Sequence, residues 1–237
     1  MNIGDFVKTR KRSAKTDADR PGLMQTIFEG LRDEITGGKI KPGACVSRRA
    51  VAARYGSSYI PVIEAMARLE SVGLIETEAR QVARVRRITT DTIHSDYVIR
   101  EAFETQAIRL ACEAATPAEI EELYTLAEQV DALAPAPARG TAADEAGLHL
   151  HWRFHRRITE LSRCRALVLE MERIELLRRL QANWFYHPEI KDPPRYHSLL
   201  VDAIQARDPA AADAVMRAHV RVGLEKELLG YRMRIDL

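Results

Sequence analysis

The stretch from Ser47 to Glu78 constrains the chain more than any other. Ser47-Arg-Arg-Ala-Val-Ala-Ala-Arg-Tyr-Gly56 is a short helical pattern with a good N-cap at its start and glycine just past its end. Ser57 and Ser58 offer a second N-cap, and Pro61 falls in the following first turn, where its missing N–H costs nothing. Val62, Ala65, Met66 and Leu69 repeat at helical spacing, and Gly73 ends the pattern. Leu74, Ile75 and Thr77, then Val82 and Val85, flank Ala79-Arg80-Gln81 and predict a two-stranded wing. Helix, tight turn, helix and hairpin are the order of a winged helix-turn-helix, a scaffold that places its second helix in a DNA groove.

The flanks divide the chain into three parts. Residues 1–20 are polar and charged with little periodicity, which predicts a disordered basic arm. Residues 21–88 hold the winged unit, opened by a helical stripe of Leu23, Met24, Ile27, Leu31 and Ile35. Residues 89–237 carry helical patterns over about 91–115, 117–132, 142–162, 165–185, 195–207 and 209–229, with no convincing strand. Thr116-Pro-Ala-Glu119 is a capping box, and Asp208-Pro209 repeats the cap-then-proline arrangement. Ala134–Gly140 reads as a stiff linker and Tyr186–Pro194 as a second break. The fold class expected is mainly α: a winged helix-turn-helix followed by an all-α bundle of about six helices.

Charge supports the division. Residues 1–90 carry 17 Lys and Arg against 10 Asp and Glu, whereas the remainder carries 19 against 24. A basic N-terminal third on a mildly acidic remainder fits a nucleic-acid-binding module joined to a part with another task. No apolar run approaches the ~20 residues that span a bilayer, and no apolar stretch accompanies the N-terminal basic residues as in a signal peptide. Cys45, Cys112 and Cys164 are odd in number and widely spaced, which predicts a reduced, cytoplasmic setting without a disulfide framework.

Residues 23–87 resemble the DNA-binding domain of the GntR family of bacterial transcription regulators. The likeness rests on Lys41-Pro-Gly43, the Ser47–Gly56 helix, Pro61-Val-Ile-Glu-Ala-Met-Ala-Arg-Leu-Glu70 and Gly73-Leu74-Ile75. The bundle that follows is similar to the ligand-sensing domain of the FadR-type (FCD) subgroup. Where the family carries Ser-Arg-Thr-Pro-Val-Arg-Glu-Ala-Leu, this chain has Ser58-Tyr-Ile-Pro-Val-Ile-Glu-Ala-Met66. Tyr59 and Ile63 thus replace two arginines that contact DNA, and Ile63 donates no hydrogen bond. The resemblance implies DNA contacts from Arg48, Arg49, Ser57, Ser58, Tyr59, Arg68, Arg80, Gln81 and Arg84, with Gln81 at a wing tip that is usually glycine.

His151-Trp-Arg-Phe-His155 puts two imidazoles at i, i+4 on one helical face, a spacing that permits chelation. Polar core residues are the alternative reading of that spacing. The resemblance adds more: many FCD domains bind a divalent metal through an Asp four residues before a Phe-His, a later His and a final His. Phe154-His155, Tyr196-His197 and Ala218-His219 match three of these positions, and His151 stands at the Asp position. Four nitrogens favour a borderline metal such as Zn²⁺ or Ni²⁺. The family also implies a small carboxylate effector, for which Arg100 is an anchor candidate, with Arg195 and Arg109 behind it. A structural ion pair with Glu104 is the other reading of Arg100.

The expected function is a homodimeric transcription regulator on a palindromic operator, a repressor rather than an enzyme, with affinity set by a small organic acid. Two other readings come from the residues: a helical-bundle metalloenzyme with a basic appendage, and a non-specific nucleoid protein. The first lacks an acidic residue in an evident general-base position beside the histidine pair. The second predicts steep salt dependence without sequence preference.

Overall fold

The computed structural model describes residues 22–78, 82–133, 142–185 and 192–235. The expected basic arm, the wing-tip residues Arg80 and Gln81, the Ala134–Gly140 linker and most of the second break lie outside them.

The winged unit comprises α1 (Leu23–Thr36), α2 (Arg48–Tyr55), α3 (Tyr59–Ser71), β1 (Ile75–Glu78) and β2 (Val82–Val85). Ser47 Oγ accepts from the Ala50 N–H at 3.3 Å and starts α2. Gly56 ends it in the left-handed region at φ 58°, which a Cβ would disfavour. Ser58 stands at the N-cap of α3, although its hydroxyl makes no cap hydrogen bond. That helix closes at Ser71 with Val72 as its C-cap, slightly before the expected Gly73, which turns at φ 81°. The strands are antiparallel, with Ile75 opposite Val85 and Glu78 opposite Val82. Ile27, Leu31, Ile35, Val62, Leu69, Leu74 and Val85 fill the core between α1, α3 and the wing.

Six further helices form the bundle: α4 (Thr90–Ala114), α5 (Pro117–Asp131), α6 (Ala142–Leu161), α7 (Arg165–Phe185), α8 (Ser198–Gln205) and α9 (Pro209–Ile235). Capping chemistry sets several of their starts. Thr116 and Glu119 form the expected capping box, Thr89 and Thr92 form another, and Asp208 Oδ1 accepts from the Ala210 and Ala211 amides. The long helices α4 and α9 pack along each other, while α5 lies against α6 and α8. Ile108, Leu123, Phe154, Leu161, Leu200, Ile204 and Met216 make the shared core.

Two helix limits differ from the sequence reading. The helix expected from 195 begins at Ser198, because Arg195 takes φ 55° and breaks the helical path. The last helix runs to Ile235 instead of about 229, because Tyr231 packs against the bundle core and extends the apolar stripe.

α7 belongs to both units. Met171 and Ile174 pack with Phe103 and Trp152 in the bundle. Leu177 and Leu180 instead complete the core of the winged unit. A Cβ placed on Gly73 would sit 3.4 Å from Leu177, so the turn after α3 rests directly on α7. Leu177→Ala should therefore cost about 2–5 kcal/mol. Urea unfolding checks this, and the loss should appear as early release of the winged unit. An unchanged midpoint would mean that α7 contributes nothing to that core.

Candidate metal centre and nucleic-acid interface

The four sequence-selected histidines meet inside the bundle. One ring nitrogen from each of His151, His155, His197 and His219 lies within 4.8 Å of the others. α6 supplies His151 and His155 from adjacent turns, His197 directly precedes α8, and α9 supplies His219. His155, His197 and His219 are buried, and the His151 ring is 4.7 Å from that of His155 between centroids. Tyr196 stacks on His219 at 4.0 Å and 21°, fixing the far side of the cluster.

Two carboxylates orient the rings. Glu104 Oε2 lies 2.9 Å from His155 Nδ1, and Asp131 Oδ1 lies 2.8 Å from His197 Nδ1. Burial alone would raise the Glu104 carboxyl, but Arg100 and His155 outweigh it and hold it at about 2. Burial would also raise Asp131, yet hydrogen bonds from His197 and Ser198 keep it well below the usual carboxylate range. Ionised carboxylates only accept, so each adjoining Nδ1 carries the proton. The Nε2 lone pairs of His155 and His197 are then free for ligation, the arrangement that outer carboxylates impose on metal-bound histidines.

Burial lowers His155 to about 4 against the pull of Glu104. It pushes His151 and His219 well below the ordinary imidazole range, with the neighbouring histidines adding to the shift. Neutral imidazole is the form that binds metal. His151 Nε2, His197 Nε2 and His219 Nδ1 are buried without a hydrogen-bond partner, and His219 Nε2 lies 3.3 Å from His155 Nε2. Unpartnered buried nitrogens facing one another are what a cation would satisfy. The residues present therefore fit a divalent metal, which His151, His155, His197 and His219 would hold.

The arginine candidates separate. Arg100 is buried beside this cluster, and its Nε donates to Glu104 Oε1. Its guanidinium sits 5.4 Å from the Tyr97 ring and 5.7 Å from the Trp152 ring. The structural ion pair and proximity to the histidines thus both hold. Arg195 is not brought to the cluster: it is exposed, with Nη2 2.8 Å from Asp202 Oδ2. It lines a separate open cleft of about 350 Å³ with Tyr124, Glu128, Asp131 and Ser198. Arg109 is exposed on α4. Sequence reasoning missed Asp131, which no spacing rule connects to His197, 66 residues away. It also missed the buried set of Arg178, Glu227 and Tyr97, in which Arg178 pairs with Glu227 and Tyr97 Oη donates to it at 3.0 Å.

On the winged unit, Arg49, Ser58 and Tyr59 are exposed, while Arg48 and Ser57 are half-buried. Two of the expected DNA-contact residues also have partners within the unit. Arg68 donates to Gln25 and lies 4.3 Å from the Phe28 ring, so it serves the α1–α3 contact. Arg84 Nη1 donates to the Gly43 carbonyl at 3.2 Å and braces the loop beside the wing.

A winged helix-turn-helix joined to a separate helical bundle defines a DNA-binding regulator of two parts. Residues 23–85 match the bacterial regulatory proteins of the gntR family, and residues 97–222 match the FCD domain. The chain belongs to the GntR family, in its FCD-containing branch. It is 29% identical over 160 residues to the uncharacterized HTH-type transcriptional regulator YdhC of Bacillus subtilis, spanning 68% of this chain and 69% of that protein. It is 28% identical over 207 residues to the HTH-type transcriptional repressor RspR of Escherichia coli, spanning 84% and 86%. The solved structure of E. coli McbR/YncC shares the fold with a TM-score of 0.65 at 21% identity, over 90% of this chain and 99% of that one. These relatives are transcriptional regulators, not enzymes. No helix among the described residues is long and apolar enough to cross a membrane.

Metal titration of purified protein checks the centre. Zn²⁺ should bind at one ion per chain, and His155→Ala should abolish uptake. Glu104→Gln should weaken it about 10–100-fold through loss of ring orientation. Equal affinity in Glu104→Gln and the parent would remove the carboxylate from the site.

Proposed function

We propose that the protein is a homodimeric repressor whose operator affinity falls when a small carboxylate binds beside a divalent metal, Zn²⁺ or Ni²⁺, in the bundle. The observation that carries this is the buried Arg100 next to four converging imidazoles. A bound dication would supply a Lewis-acid position for one carboxylate oxygen. Arg100 holds the effector's charge from the opposite side, with Glu104 fixing its Nε and the Tyr97 and Trp152 rings fixing its plane. Arg195, in the outer cleft, serves as an entry-side cation in this reading. Dimerisation follows from paired recognition helices reading a palindrome about one turn apart. A cytoplasmic location follows from action on operator DNA.

A route from sensor to reader supports the mechanism. Arg178 on α7 lies 4.9 Å from the Tyr97 ring and pairs with Glu227 of α9. Gln181, one turn on, donates to Asp96 at 2.7 Å, and Asp96 receives Arg86 at 2.9 Å just after β2. The same stretch of α7 inserts Leu177 and Leu180 into the winged core. A shift of Arg100 against Tyr97 therefore moves α7, and α7 carries the winged unit with it. Coupling of about 1–3 kcal/mol corresponds to a roughly 5–150-fold change in operator affinity.

Fluorescence anisotropy on an operator selected from random duplex DNA tests the reading. With Zn²⁺ loaded, one member of a panel of acetate, lactate, malonate, succinate and citrate should lower operator affinity within that range. The double variant Arg100→Gln/Glu104→Gln should bind the operator normally and lose the response. Carboxylate binding in calorimetry that leaves operator affinity unchanged at every salt concentration would sink the coupling.

A further inference from the structure

The solvent face of α3 is apolar where a reading helix meets bases. Tyr59, Ile60 and Ile63 are 54%, 69% and 46% exposed. Ala67 is exposed too, one turn beyond Ile63. Spacings of three and four residues gather Tyr59, Ile60, Ile63 and Ala67 into one stripe. Val62, Ala65, Met66 and Leu69 occupy the opposite face and are fully engaged in the core. The exposed stripe therefore does no work in the folded chain, and large apolar side chains grouped on a surface mark a contact.

The contact is duplex DNA. The stripe occupies the N-terminal half of the second helix of the motif that matches the gntR family, the part of such a helix that meets base edges. α2 packs beside it, with exposed Arg49 at its start, in the basic third of the chain. The major groove offers one apolar feature, the C5-methyl group of thymine. We propose that α3 reads its operator through thymine methyl groups, which pack on Ile60, Ile63 and the Tyr59 ring. Glu64 is exposed beside them. Its carboxylate accepts only, so it opposes the O6 and N7 acceptors of guanine and suits the amino groups of adenine and cytosine. The methyl contact selects A·T pairs where arginines would select G·C, and the acceptor-only neighbour disfavours guanine at the base it faces. This inference rests on the reading of the chain as a sequence-specific DNA binder and specifies what it reads.

Selection from random duplex DNA with the full-length protein comes first, followed by operators in which each thymine is replaced in turn by deoxyuridine. The replacement removes the methyl group alone. A·T pairs should dominate the positions under α3, and each contacted methyl should be worth about a fourfold loss of affinity. Ile63→Ala should remove the thymine-over-uracil preference at one position. Ile63→Arg should move that position towards guanine. Both side chains are exposed, so unchanged thermal unfolding of the variants verifies their fold. Guanine at these positions, or indifference to uracil throughout, overturns the proposal. So does an Ile60→Ser/Ile63→Ser variant that keeps operator affinity but changes association state, since the stripe would then be a protein contact. Recovery of no specific sequence at all sinks the underlying DNA-binding reading instead.

Discussion

Convergence of four imidazoles at one point, three of them from buried residues, is the constraint on which the bundle depends. Ring nitrogens that face one another in an apolar interior lack water to satisfy them, and each orphan costs about 1–3 kcal/mol. The bundle meets this with carboxylates placed behind the rings. Glu104 and Asp131 come from different helices, α4 and α5, and each bonds one Nδ1. The helices must therefore stack so that a carboxylate on one reaches a ring on another. Phe154, Ile158 and Leu200 pack around the same junction and exclude solvent. Polar satisfaction and apolar packing thus specify one arrangement of α4, α5, α6, α8 and α9.

A second constraint ties that junction to the DNA-binding unit. Arg100, Tyr97, Arg178 and Glu227 are linked by ring contacts, an ion pair and a hydrogen bond, so a shift of one bears on the others. α7 contributes Arg178 to this set and Leu177 and Leu180 to the winged core. One rigid helix with a face in each core is a mechanical coupler in a way that a flexible linker is not. The covalent connection between the units, from Arg86 to Thr89, is short and held by the Arg86–Asp96 pair. Neither unit can reorient without disturbing α7 or that pair.

Much of this was legible in the sequence, for physical reasons that also explain the rest. Caps and turn glycines are local, so Ser47, Gly56, Thr116 and Asp208 marked their helices correctly. Apolar stripes gave the faces of α1 and α3 for the same reason. The four histidines were found through family resemblance, since spacing joined only His151 and His155. Asp131 and Glu227 were invisible as site residues because their partners lie far away in the chain, and an isolated acidic residue in a helix reads as surface. The partners of Arg68 and Arg84 within the winged unit, Phe28, Gln25 and Gly43, were equally hidden, because they too lie far away in the chain. The position of Arg195 on an exposed turn was not legible, because its helix starts later than periodicity suggested.

Charge at the centre bears on the kind of effector proposed for it. Among the groups around the histidines, Glu104 and Asp131 are anionic and Arg100 is cationic, while Arg178 and Glu227 cancel. The sum is one negative charge, and His151, His155 and His219, which burial holds neutral, add none. A dication turns this into one net positive charge in a buried space. Family members with Asp at the position of His151 would bring that sum to neutrality from within. This chain has histidine at that position, so under the proposed function a monoanionic ligand would complete the balance instead. On that proposal, histidine in place of the acidic ligand raises the centre's demand for an anion, and the buried Arg100 beside it would grip that anion.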